Sequence, residues 1–159
     1  MNARLALMVV ATVGCGLVGG VFFAFSTFVM PALARLPAPA GIAAMQSIDV
    51  TAVRPPLMLA LFGTAAVCVI LAIVAVSGGP RPAALEVVSA CLLYVVGNVV
   101  VTMVCNVPLN DALARTDPAS LDGARLWAAY LETWTAWNHV RTVTALVAAA
   151  LLGVSLSRS

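Results

Sequence analysis

The chain has 159 residues, 63% of them hydrophobic and only 9% charged, with a net charge of +2 and a mean hydropathy of +1.09. That length fits one domain, and that hydropathy exceeds what a soluble core requires, so the composition places the chain in the lipid bilayer. All eight basic residues are arginine and form no basic run, which excludes nucleic acid as a partner class.

Hydropathy predicts an all-α fold: one domain over 1–159, a four-helix bundle with spans at about 5–30, 57–77, 83–105 and 134–156. The first apolar run is longer than the core of a signal peptide and is expected to be a retained span. At about 1.5 Å per residue it reaches roughly 39 Å, more than a hydrocarbon core of about 30 Å. A helical wheel groups Thr12, Gly16, Gly19, Gly20, Phe23, Ser26 and Thr27 on one face. Gly16 and Gly20 form a GxxxG, so this face is expected to look into the bundle or toward a partner helix.

Prolines break the chain between residues 31 and 56, with a short interfacial helix expected over 42–54, carrying Gln46 and Asp49. The pair Pro55-Pro56 ends it. The second span offers only Thr64 and Cys68 as polar breaks and is expected to face lipid. A tight turn, GGPRP, follows at 78–82.

In the third span Tyr94, Asn98, Thr102 and Asn106 recur every four residues, making one polar stripe. Such a stripe serves either as hydrogen-bonding glue between helices or as the wall of a pocket. Glu86 falls on the opposite side, near the surface. Pro108, within NVPLND, is expected to break or kink the helix, leaving Asn106 and Asn110 at the membrane boundary. Asp117-Pro118 then reads as the N-cap and first residue of the last helix.

That helix opens with WAAYLETWTAWNHVR, which holds all three tryptophans and the only histidine. Trp127, Leu131, Trp134, Asn138 and Arg141 fall on one stripe, with His139 about 100° away from Asn138. Fully apolar character covers only about residues 142–156, so Trp134 to Arg141 must enter the bilayer with them. Flat apolar surfaces, amides, a fixed cation and a group that titrates near neutral pH are the parts of a site for a planar, weakly acidic organic molecule. Each also has a structural use: tryptophans anchor helices at interfaces, and arginines snorkel.

One histidine and scattered carboxylates do not make a metal site, so no metal is expected. The cysteines (Cys15, Cys68, Cys91, Cys105) form no CxxC pair and read as small packing residues. Arg4, Arg81 and Arg158 would share one side, so the N- and C-termini are expected in the cytoplasm of a bacterium, across its plasma membrane.

The runs GGVFFAFSTFVMPALARLP, AMQSID, NVPLND and W-x-x-Y-x-x-x-W-x-x-W-N-H-V-R resemble the anthrone oxygenase family of small four-span membrane proteins. The most specific parts are Asn106-Val107-Pro108-x-Asn110 and Trp134-x-x-Trp137-Asn138-His139-x-Arg141. One departure stands out: the family commonly has Asn where this chain has Asp49. The resemblance implies oxidation of an anthrone to an anthraquinone with O2 and no cofactor. His139 is then the expected base, with Arg141 and Asn138 stabilising the oxyanion. Asn98, Thr102, Asn106, Asn110, Trp134, Trp137 and Asp49 are the expected substrate contacts. The expected partners are the lipid bilayer, a lipophilic aromatic or quinol-like molecule and a second copy of the chain in a homo-oligomer. The alternative is a non-catalytic membrane protein that binds a lipophilic ligand or a partner helix.

Overall fold

The computed structural model describes residues 3–77 and 82–158, with the side chains of 82 and 83 left aside. The expected GGPRP turn and Arg81 fall largely outside these residues. Five helical segments make up the fold: α1 (Ala3–Leu33), α2 (Ala38–Ala52), α3 (Pro55–Ser77), α4 (Ala84–Ala114) and α5 (Leu121–Ser157). All but α2 are long and apolar enough to cross a membrane. No strand occurs among the described residues. α5 packs against α1 and α4, and α3 closes the ring between them. Outside, Val13, Leu17, Ile73 and Leu92 lie exposed, an apolar surface suited to lipid.

α1 turns a different face inward from the one the wheel suggested. Its buried residues are Met8, Ala11, Cys15, Val18, Gly19, Phe22, Ser26, Met30 and Leu33, a repeat of three and four that matches an inward stripe. Phe23 and Thr27 are exposed. Gly16 and Gly20 have open space where a Cβ would stand, whereas Gly14 lies against Thr64 and Gly19 against Leu146. The close approaches therefore use Gly14 and Gly19, not the GxxxG. The expectation for that face is corrected: among lipid tails the rotation of a helix is set by close packing and interhelical hydrogen bonds, which Gly14, Gly19, Ser26 and the Phe22 carbonyl make here.

α3 buries Thr64 and Cys68, so its two polar breaks face inward rather than lipid. Glu86 is half-buried, bonded to Arg158 at 2.8 Å and Ser155 at 3.3 Å, not isolated on the far side of α4. The third span does not end near Cys105. It runs through Pro108 to Ala114, because the turns at Val95–Val100 and Thr102–Asn106 are π-helical. A proline ring clashes with the carbonyl four residues back and offers no N–H; the wide turn just before Pro108 takes up both defects. π-helical turns also occur at Phe25–Val29 in α1 and Leu59–Gly63 in α3. They loosen the i to i−4 ladder and leave carbonyls for side chains. Tyr94 Oη donates to the Leu61 carbonyl at 3.1 Å.

The last helix is capped by Ser120, whose Oγ accepts from the Gly123 N–H at 2.9 Å. Asp117 instead accepts from the Ala119 N–H at 3.0 Å, in the loop, so the predicted cap lies three residues too early. At 37 residues α5 is about 55 Å long, so it extends well beyond a hydrocarbon core. Its first turns support α2. Gly41 lets α2 lie against the Trp127 indole, where a Cβ would stand 2.8 Å from the ring. Gln46 Nε2 donates to the carbonyls of Leu113 and Thr116 at 2.8 and 3.0 Å, tying α2 to the end of α4.

Candidate functional site

The apolar core has two parts. One runs along the four spans from Met8 to Leu152. The other gathers Met30, Ile42, Met45, Leu113, Trp127, Tyr130 and Trp134 where α2 meets the bundle. Between α2 and the spans is a cavity of about 470 Å³. α1 contributes Val21, Phe22 and Phe25 to its wall, and α3 contributes Leu57, Met58, Leu61 and Phe62. Its polar groups are Asp49 from α2, Thr102, Asn110 and Asp111 from α4, and Arg141 from α5. Its volume and its apolar walls with a few convergent polar groups are those of a small-molecule site.

Arg141 is 4% exposed. Its Nη1 donates to Thr102 Oγ1 at 3.2 Å and its Nη2 to Asn138 Oδ1 at 2.8 Å, while Nε has no partner. The guanidinium carbon lies 4.2 Å from the Phe22 ring centroid and 5.1 Å from that of Trp134. These contacts soften the burial of the cation, but among the described residues no carboxylate comes within 4.0 Å of it. A buried cation without a carboxylate partner is costly to hold in a membrane helix.

Asn138 is what holds Arg141 still. Its Nδ2 donates to the Phe22 carbonyl and to Ser26 Oγ, both at 2.7 Å, leaving Oδ1 for the guanidinium. The π-helical turn that starts at Phe25 accompanies this use of the Phe22 carbonyl.

Trp134 forms the aromatic wall. It stacks in series with Tyr130 and Trp127, at 6.1 and 5.6 Å between centroids, and meets Phe25 at 5.8 Å and 50°. Asn110 Oδ1 accepts from both Trp134 Nε1 at 2.8 Å and Tyr130 Oη at 2.9 Å. Asn110→Ala should therefore cost about 1–3 kcal/mol, more than Tyr130→Phe, because it strands two donors at once. Thermal unfolding of both variants in the same detergent checks the order.

The remaining predicted residues divide. Asn106 is buried and donates to the Trp134 carbonyl at 3.3 Å; Asn98 donates to Thr144 Oγ1 at 3.3 Å, below the cavity. Each keeps a buried amide oxygen without a partner. Neither lines the cavity, so of the polar stripe only Thr102 does. His139 is exposed on the outer face of α5, Trp137 is 39% exposed, and neither lines the cavity. The expectation that the histidine shares the site is corrected. One residue along a helix is about 100° of rotation, and with Asn138 pointing inward His139 cannot.

Asp49 is the reverse case. Its carboxyl lines the cavity, and its buried Oδ2 has no hydrogen-bond partner. Burial pushes its pKa from 3.8 up to about 6, and the Arg141 guanidinium pulls it partly back. Phe22, Phe25, Ser26, Tyr130 and Gln46 were not singled out as site residues from the sequence. Only Ser26 and Gln46, polar residues in largely apolar stretches, carry a local signal. Among the described residues no group of three His, Cys, Asp or Glu is placed to hold a metal ion.

Four apolar spans, with a cavity between them and α2 and a buried arginine on its wall, define a helical membrane protein. The sequence narrows this further. The family model described as anthrone oxygenase matches residues 56–151, more than half of the chain, and the protein belongs to that family. The matched segment holds Asn106, Asn110, Trp134, Asn138 and Arg141; Asp49 and α1 lie outside it. No curated protein and no solved structure matches the chain.

Proposed function

We propose that the protein is a monooxygenase that needs no cofactor and oxidises a lipophilic anthrone- or quinol-like aromatic with O2. The observation that carries this reading is Arg141, a clamped cation without a carboxylate partner on the wall of a mostly apolar cavity. The cavity's volume and apolar walls, which include Phe22, Phe25 and Trp134, suit a flat ring system, whose carbonyl oxygen would meet the guanidinium. Loss of a proton from the ring methylene makes a delocalised oxyanion, and a fixed cation in a dry site stabilises that charge far better than water does. The carbanion then reduces O2: a C–O bond forms, giving a hydroperoxide. Loss of the second methylene proton breaks the O–O bond and yields the quinone carbonyl and one water. One anthrone and one O2 thus give one anthraquinone and one H2O. By the placement of the arginines, the termini lie in the cytoplasm and the cavity in the opposite half of a bacterial plasma membrane.

The test is O2 uptake by the protein in lipid nanodiscs with anthrone as substrate. The expected result is one O2 consumed per anthraquinone formed, with one atom of labelled O2 in the quinone. A second reading, a ligand binder without turnover, draws support from the exposed position of His139. Saturable binding with O2 uptake no faster than in empty nanodiscs would favour that reading and reject the first.

A further inference from the structure

Asp49 and Arg141 carry opposite charges, line the same cavity and interact electrostatically, yet no ion pair of 4.0 Å or less joins them. Opposite charges in a poorly screened interior attract strongly, and long side chains ordinarily close such a gap. Here both are held back. Thr102 and Asn138 fix the guanidinium, while Gln46 and the contact of Gly41 with Trp127 fix the helix that carries Asp49. Each also keeps an unsatisfied atom, Asp49 Oδ2 and Arg141 Nε. A molecule held in this cavity with an acidic hydrogen at one edge and an oxygen acceptor at the other would meet both groups.

We infer that in this chain Asp49, which stands where the family commonly has Asn, is the base of the reaction, taking the ring-methylene proton of a substrate whose carbonyl oxygen is bound by Arg141. This rests on the oxygenase reading and narrows the substrate to aromatic ketones whose acidic C–H and C=O lie on opposite edges. The C–H bond breaks, an O–H bond forms on the carboxylate, and the electron pair moves through the ring to the oxygen at Arg141. The proton then passes to the peroxide oxygen, so the carboxylate is restored for the second methylene proton and finally releases it to the departing hydroxide as water. The groups that bear on its ionisation are Arg141 and Tyr130 from α5 and Asp111 from α4. α1 and α3 present only apolar side chains to the cavity. A base acts when ionised, so kcat/KM should rise with pH to a plateau and be half-maximal near pH 6.

Proton transfer is read apart from oxidation by excluding O2. Anthrone is incubated anaerobically in D2O with wild-type, Asp49→Asn and Asp49→Glu protein in nanodiscs, and exchange at the methylene is followed against empty nanodiscs. The expected result is catalysed exchange by wild type, a loss of about 10²-fold or more in Asp49→Asn, and partial retention in Asp49→Glu. Anthrone should still quench tryptophan fluorescence in Asp49→Asn with wild-type affinity. Exchange by Asp49→Asn at the wild-type rate, or none by wild type, overturns the inference. So does loss of binding in both variants, which would make Asp49 a binding residue. Catalysed exchange without O2 uptake in air would leave the base in place and reject the oxygenase reading alone.

Discussion

Arg141→Met should lower kcat for anthrone oxidation by about 10²–10³-fold, the usual consequence of removing an oxyanion-stabilising donor. Methionine fills a similar volume without charge, so the cavity keeps its shape, while Thr102 Oγ1 and Asn138 Oδ1 lose a hydrogen-bond donor and Phe22, Trp134 and Asp49 lose the nearby cation. KM should change much less than kcat, because the ground-state ketone gains little from the cation while the oxyanion gains much. Arg141→Lys should fall between the two. It keeps the charge, but an ammonium on a flexible stem lacks the planar fork that reaches Thr102 and Asn138 together. Steady-state rates and the absorbance of the bound anthranolate check this. A methionine variant with wild-type kcat would remove Arg141 from the chemistry.

The largest effect on folding is expected at Gly97, in the π-helical turn of α4. A Cβ there would stand 2.4 Å from Thr144 Cβ and 2.3 Å from Thr144 Oγ1, so α4 and α5 touch nearly backbone to backbone. Gly97→Ala should therefore cost about 1–3 kcal/mol or more through overpacking, and Thr144→Ala should not rescue it, because its own Cβ remains. Gly14 offers the contrast. There the closest atoms are Thr64 Oγ1 at 2.2 Å and Cγ2 at 2.9 Å, with Cβ at 3.1 Å, so Thr64→Ala should relieve most of the cost of Gly14→Ala. Thermal unfolding of the four single and double variants in one detergent decides. Rescue of Gly97→Ala by Thr144→Ala would mean that the helices can separate there without cost.

Much of the site's chemistry was legible before the fold was seen. The spacing of Trp127, Trp134, Asn138 and Arg141 already set them on one stripe, and all four are buried. The same wheel set His139 off that stripe, so its outward position was available in the rotation. Chemical aptness argued for it as the base, and geometry decides against it. The stripe from Tyr94 to Asn106 was also read correctly as a face. Which of its members reach the cavity was not, because two π-helical turns shift the angular register along α4.

Hydropathy and periodicity by themselves determined the four apolar helices and the entry of the Trp134–Arg141 stretch into the membrane, since each depends on residues close in sequence. That Arg141 is buried there and not drawn out to the surface was decided by its partners Thr102 and Asn138. Which face of α1 looks inward, where the span through Pro108 ends and which carboxylate faces Arg141 were decided only by tertiary packing. Asp49 sits on a connecting helix with no apolar stripe strong enough to orient it. Its place opposite Arg141 follows from Gly41 against Trp127 and Gln46 on the end of α4, contacts between residues far apart in the chain that no local pattern encodes.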